Sequence, residues 1–258
     1  MKTLDIQGTR VPRIGLGTWA LRGETCQEAV LAALDLGYRH IDTAEMYGNE
    51  RAIGLALAKS GLPRDEFFLT SKVWRNHMHH DDVLEACDQS LEDLGTDYLD
   101  LYLIHWPVTD VPIDETVDAL DELLRSGRVR RIGVSNFSAA QLAEAQKVSQ
   151  TGIFCNQVEI NPWRYPGDVL AACQASDVLV TAYTPLARGR VQSSDVLREI
   201  GDSYGKTAVQ VALRWLIQKP NMVAIPKASS RDHLEQNLAV FDFELDSGAM
   251  EAIDNLSS

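Results

Sequence analysis

The feature that most constrains this chain is an alternation, repeated eight times, of a short apolar run and a longer amphipathic one. The apolar runs fall at residues 13–19, 40–43, 67–71, 98–104, 129–134, 154–159, 178–183 and 222–225. They show little in-and-out alternation, as strands buried on both faces do. Helical spacing follows each of them, near residues 24–36, 50–59, 81–94, 113–125, 139–149, 168–175, 195–203 with 207–218, and 231–239. A last short helix is expected over 246–254. In the first helix Ala29, Val30, Ala33 and Leu34 share one side, and Gly37 is placed to end it. No linker or low-complexity segment breaks the series, so the prediction is one α/β domain over 1–258, a (β/α)8 TIM barrel. Ahead of it, Leu4, Ile6 and Val11 alternate with Asp5, Gln7 and Arg10 around Gly8-Thr9, which predicts an N-terminal β-hairpin.

A doubly wound sheet is the rival architecture. Gly15-Leu16-Gly17-Thr18-Trp19-Ala20 matches the spacing of the dinucleotide-binding glycine turn. That turn must open a helix directly, whereas Trp19 to Gly23 intervene here before any helical spacing begins. The glycines are read instead as relief of crowding at the first barrel strand.

Composition narrows the function. Lysine and arginine number 24 against 37 acidic residues, a formal net charge of −13. That balance argues against general nucleic-acid or anionic-membrane binding, both of which need basic surface. Cys26, Cys87, Cys155 and Cys173 have no paired spacing and read as reduced, mostly buried thiols. The N-terminus lacks an apolar leader, and no apolar run approaches membrane-spanning length. A cytoplasmic monomer is the expectation. His77-Met78-His79-His80 lacks a distant ligand cluster, so no metal site is expected.

In a barrel of this kind, chemistry collects at the C-terminal strand ends. Those ends offer Asp42 after the second strand, Lys72 after the third and His105 after the fourth, with Tyr47 in the loop after the second. Each has a bland reading when taken alone. Asp42 would cap a helix, Lys72 would be a solvated charge, and His105 a satisfied core histidine. Together they make a proton-transfer site. A phenol has an ordinary pKa of about 10 and needs a nearby cation to ease its ionisation. Lys72 is expected to supply that charge and lower the phenol, Asp42 to hold Lys72, and His105 to orient a carbonyl oxygen while Tyr47 gives the proton. No side chain here can supply hydride, so a cofactor must.

At this point the chain resembles the aldo-keto reductase family. The resemblance rests on Gly37-Tyr38-Arg39-His40-Ile41-Asp42-Thr43-Ala44 with Tyr47 and Asn49-Glu50, and on Thr70-Ser71-Lys72-Val73-Trp74. It continues through Leu103-Ile104-His105-Trp106-Pro107, Ile132-Gly133-Val134-Ser135-Asn136-Phe137 and Ile225-Pro226-Lys227, covering nearly the whole chain. The short segment after Trp106 is most similar to bacterial members acting on diketogluconate and small aldehydes. The resemblance implies NADPH as cofactor, with NADH also accepted, and a small carbonyl substrate. By position it casts Ser135, Asn136 and Gln157 as holding the carboxamide and Tyr183 as stacking on the nicotinamide. Thr184 and Leu186 would follow the pyrophosphate. Lys227, Ser229, Ser230 and His233 would meet the adenosine phosphate, Gln236 and Asn237 the adenine, and Trp19, Trp74 and Trp106 would wall the substrate pocket.

Two departures bear on specificity. Relatives that use the phosphorylated cofactor usually carry arginine where this chain has His233, and often serine where it has Ala228. Arginine grips a phosphate in a planar fork that neutral histidine lacks. Many relatives also continue past the position of Ser258 into a tail over the pocket, so either an open, less selective site or a chain cut short is expected. A cofactor-binding sensor or regulatory subunit on the same barrel is the competing reading, which an altered tetrad would favour. A metal-dependent barrel hydrolase or isomerase is the third, and it needs a His/Asp/Glu cluster across strand ends that the sequence does not offer.

Overall fold

A computed structural model describes residues 2–257 of the chain. Its strands are β1 (Thr3–Ile6), β2 (Thr9–Pro12), β3 (Leu16–Gly17), β4 (His40–Asp42), β5 (Phe68–Val73), β6 (Leu101–Ile104), β7 (Ile132–Ser135), β8 (Cys155–Glu159), β9 (Leu179–Tyr183) and β10 (Met222–Ala224). The helices that cover them are α1 (Gly23–Asp35), α2 (Glu50–Ser60), α3 (His80–Leu94), α4 (Ile113–Arg125), α5 (Ala139–Val148), α6 (Gly167–Ala175), α7 (Asp195–Tyr204), α8 (Ala208–Gln218), α9 (Arg231–Leu238) and α10 (Ser247–Asp254).

Strands β3 to β10 pair in parallel and in sequence order. The sheet then closes on itself. Ile14 bridges Ala224 in parallel, the Ala224 N–H donates to the Arg13 carbonyl at 2.9 Å, and the Gly17 N–H donates to the Pro226 carbonyl at 3.2 Å. The result is the expected (β/α)8 barrel. A Cβ on Gly15 would meet the His40 ring at 2.7 Å, and one on Gly17 would meet the Ile225 carbonyl oxygen at 2.6 Å. These glycines therefore let the closing seam come together. No helix starts at them, because the chain turns through Ala20 at a φ of 64° before α1 begins.

The first barrel strand is shorter than the expected run over 13–19. Ladder pairing is confined to Leu16–Gly17, and the following turn swings Trp19 outward to 51 % exposure. The hairpin forms as expected, its two-residue turn made by Gln7 and Gly8, both at positive φ.

Strand periodicity sorts side chains into two cores. Phe68, Leu101, Leu103, Phe154, Cys155, Leu179 and Val223 point inward, where Ile6 and Val11 of the hairpin plug the bottom of the barrel. Ile41, Leu69, Val73, Ile104, Val134, Val158 and Ala182 point outward and meet the helices. The same parity carries Asp42, Lys72, Ser135, Gln157 and Tyr183 inward at the other end of the barrel. All four cysteines are buried and unpaired. No helix of the described residues is long and apolar enough to cross a membrane.

Candidate active site

Lys72 is an inward residue near the end of β5, and its side chain is fully buried. Its ammonium donates to Asp42 Oδ1 at 2.5 Å and to the Thr43 carbonyl at 2.6 Å. The other Asp42 oxygen accepts from Gln157 Nε2 at 2.7 Å. Both carboxylate oxygens of Asp42 are thus fixed by protein groups. Burial alone would lower the Lys72 pKa, but the Asp42 and Tyr47 charges outweigh it and hold Lys72 above its ordinary value, so the amine stays charged.

Tyr47 ends a 3-10 turn, Glu45–Tyr47, which Gly48 closes in the left-handed region at a φ of 59°. The Lys72 ammonium lies 5.2 Å from the Tyr47 ring centroid. The phenol departs from expectation in one respect. Burial raises its pKa and the Asp42 charge adds to that, against the pull of Lys72, so the net direction is upward. Tyr47 is therefore a protonated donor across the physiological range.

His105 packs edge-on to Tyr47 at 5.6 Å and to Trp74 at 5.0 Å between ring centroids. Burial, helped by the Lys72 charge, lowers its pKa to about 3, so the imidazole is neutral. Its Nδ1 is buried without a hydrogen-bond partner. A bare acceptor is the cheaper orphan, which puts the ring proton on Nε2.

These groups stand at one end of a cavity of about 1000 Å³. Asp42, Tyr47, His105, Trp19 and Trp106 line that end, with Trp106 at 43 % exposure. Ser135, Asn136, Gln157, Tyr183, Thr184 and Leu186 continue the wall, and Lys227, His233, Gln236 and Asn237 complete it. Four residues cast for this site stand off the lining, Lys72 among them, enclosed beneath Tyr47 and Asp42. Trp74 sits behind His105, while Ser229 and Ser230 lie outside the lining, Ser230 capping α9 through the His233 N–H. The wall also holds residues that sequence reasoning did not single out, among them Met46, Glu159, Arg188, Gly189 and Gln192. Arg188 and Gly189 belong to the loop after β9, with φ of 54° and 95°. Both lie within three residues of Leu186 on the loop already assigned to the pyrophosphate, which is the signal that could have found them.

The donor set suits a nicotinamide dinucleotide. Asn136, at a φ of 64°, gives both amide hydrogens to the protein, to the His105 carbonyl at 3.0 Å and Ser135 Oγ at 3.1 Å. Its Oδ1 accepts from the Tyr183 hydroxyl at 2.8 Å, which fixes the Tyr183 ring at the wall. Gln157 commits Nε2 to Asp42, which leaves Oε1 for another donor. Fixed amides, an oriented aromatic face and an exposed lysine at the far end fit a carboxamide, a flat ring and an anion in turn.

The histidines of the 77–80 segment contact separate carboxylates. His77 meets Glu45 at 2.9 Å and His79 meets Glu115 at 3.0 Å, and no group of three ligands able to hold a metal occurs among the described residues.

Comparison with known proteins gives the family and the fold. The model of the Aldo/keto reductase family matches residues 13–258. A glyoxal reductase from Bacillus subtilis is 39% identical over 251 residues, covering 97% of this chain and 90% of the relative. The crystal structure of a putative 2,5-diketo-D-gluconic acid reductase B superposes with a TM-score of 0.97 at 41% identity, covering 99% of this chain and 91% of the other. The aldose reductase structure from Schistosoma japonicum gives a TM-score of 0.96 at 33% identity, over 100% of this chain and 93% of the other.

Proposed function

The chain belongs to the aldo/keto reductase family, and from that membership we propose that it reduces small aldehydes and ketones to alcohols, with Tyr47 as the acid. The family uses nicotinamide cofactors, and when bound the cofactor supplies the hydride that no side chain here can give. We assign NADPH as the preferred form, with NADH also used because His233 stands where a phosphate-gripping arginine is usual.

One observation carries the reading. A buried ammonium is held at two of its three protons by Asp42 and the Thr43 carbonyl, and a phenol ring lies 5.2 Å away. As negative charge grows on the substrate oxygen, Tyr47 Oη releases its proton to it. Lys72 stabilises the phenolate left behind, and this matters most because burial otherwise opposes that charge. Neutral His105 donates through Nε2 to the same oxygen and sets its direction. Trp19 and Trp106 form the apolar flanks of the entrance.

Small dicarbonyls and diketo sugars are the proposed substrates, in keeping with the names of the glyoxal and diketogluconic acid reductases. We propose a cytoplasmic monomer working as one unit of residues 1–258, and the net charge of −13 speaks against nucleic-acid partners. The test is an initial-rate panel of glyoxal, methylglyoxal, simple aldehydes and diketo sugars against NADPH and NADH. Tyr47→Phe should lower kcat at least about a hundredfold with every active substrate. Unchanged turnover in that variant would remove Tyr47 from the chemistry.

A further inference from the structure

Glu50 is a buried carboxyl that the reaction above does not use. It opens α2, three residues after Tyr47, and is only 6% exposed. Its two oxygens bind two other elements. Ser71 Oγ on β5 donates to Oε1 at 2.5 Å, and Ser90 Oγ on α3 donates to Oε2 at 3.2 Å. Ser71 is the neighbour of Lys72 on the same strand. Strand parity points Lys72 into the barrel and Ser71 out toward the helices, so Glu50 grips the back of the residue pair whose front holds Asp42. Glu50 itself does not line the cavity.

The adjoining Asn49 ties the same turn to other strand ends. Its Nδ2 donates to the Thr18 and Leu21 carbonyls at 3.0 and 3.1 Å, and its Oδ1 accepts from Thr43 Oγ1 at 2.7 Å. The turn bearing Tyr47 is thus anchored by Asn49 on one side and by Glu50 on the other. We infer that Glu50 is a positioning residue, holding the Tyr47 turn against the strand that carries Lys72, and that its charge state sets how firmly it holds.

The surroundings are those of a group that can exist in two states. Among the described residues no cation pairs with Glu50. Glu45 faces it from the preceding turn, Cys87 and Asp93 from α3, and Tyr102 from β6, with a buried hydroxyl that has no partner. Of α1, packed on the other side of α2, Cys26 is the one buried residue that titrates. Burial, reinforced by Glu45 and Asp93 and opposed by the two serines, pushes the carboxyl up to about 7. An ionised Glu50 accepts from both serine hydroxyls at once. A protonated one must place its own proton among them and gives up part of that grip.

The inference rests on the proposed roles of Tyr47 and Lys72, and its test is separable from theirs. The expected wild-type kcat falls as pH drops through about 7, while KM for the carbonyl stays constant because Glu50 touches no part of the cavity. Glu50→Gln keeps the shape but cannot ionise, so its kcat should be flat across that range at the wild type's low-pH value. Glu50→Ala should lose about ten- to hundredfold in kcat at pH 8 through misplacement of Tyr47, and Ser71→Ala should show a weakened inflection. A Glu50→Gln profile that keeps the wild-type inflection would overturn the inference, as would a folded Glu50→Ala protein with wild-type kcat. If Glu50→Ala fails to fold, the Glu50→Gln and Ser71→Ala profiles decide alone. A dead Tyr47→Phe enzyme beside an unaltered Glu50→Gln profile refutes this inference only, and an active Tyr47→Phe enzyme refutes the reading beneath it.

Discussion

At the residue scale, the centre of the molecule is one buried ion pair whose partners depend on each other. Lys72 and Asp42 are each nearly fully enclosed, and 2.5 Å separates their charged atoms. Removing one partner strands the other in the interior, which typically costs about 3–5 kcal/mol, whereas removing both is far milder. Asp42→Asn should therefore lower urea-unfolding stability by about that amount. Adding Lys72→Met should recover a large part of the loss, so that the double-mutant cycle shows a coupling well above 1 kcal/mol. Additive losses in the two single variants would mean that the pair is screened in a way its burial denies. Gln157 extends the same dependence. Its bond to the second Asp42 oxygen sets the carboxylate's rotation, so it belongs to the ion pair whatever it does for a cofactor.

At the element scale, strand parity explains why so much of the site was legible in the sequence. Asp42, Lys72, His105, Ser135 and Tyr183 each lie at or beside the end of a strand, and a barrel forces strand ends to one rim. What parity could not expose lies one layer out. Glu50 reads as an ordinary acidic residue in a helix's first turn, where the macrodipole welcomes a negative charge. Only the packing of α2 on α3, close enough that a Cβ on Gly54 would meet the Asp93 carbonyl at 2.5 Å, seals it from water. The direction of the Tyr47 shift was hidden for the same reason, since burial is a sum over many neighbours and a motif names only one. The sealing of Glu50 has a stability consequence that can be measured apart from activity. Its folded carboxyl sits at about 7 against an ordinary 4.5, so between those values the folded state holds a proton that the unfolded state has lost. The Glu50 contribution to stability should thus fall as pH rises from 4.5 to 7 and level off above, and comparison with Glu50→Gln isolates it from the opposite contribution of buried His105. Glu50→Gln lacks this dependence, and its stability relative to wild type should climb by up to about 3 kcal/mol across that window. Parallel stability curves for the two proteins would mean that the carboxyl ionises freely in the fold.

At the scale of the whole molecule, the barrel separates stability from chemistry along its axis. The mouth gathers Asp42, Tyr47, Lys72 and His105, while the opposite end is closed by the hairpin β1–β2, whose Ile6 and Val11 fill the inward core. Arg131 fastens the hairpin from outside, donating to Thr9 Oγ1 at 2.8 Å and to the Gln7 carbonyl at 2.9 Å. Nothing in this plug touches the cavity. Truncating Ile6 to alanine removes buried volume that the surrounding Phe68, Leu103 and Val223 cannot readily refill, at a cost of about 2–5 kcal/mol. For a chain of this size each kcal/mol moves the midpoint by about 2–4 °C, so thermal unfolding followed by circular dichroism should show Tm lower by about 5–15 °C. Carbonyl-reduction kcat and KM at 25 °C should stay within about twofold of wild type, because conservation of geometry at the mouth does not depend on the plug. A matching loss of kcat in a protein still folded at the assay temperature would show the two ends to be coupled through the barrel interior. The stacked inward residues would then transmit strain from the plug to Lys72, and stability and chemistry would not be separate along the barrel axis.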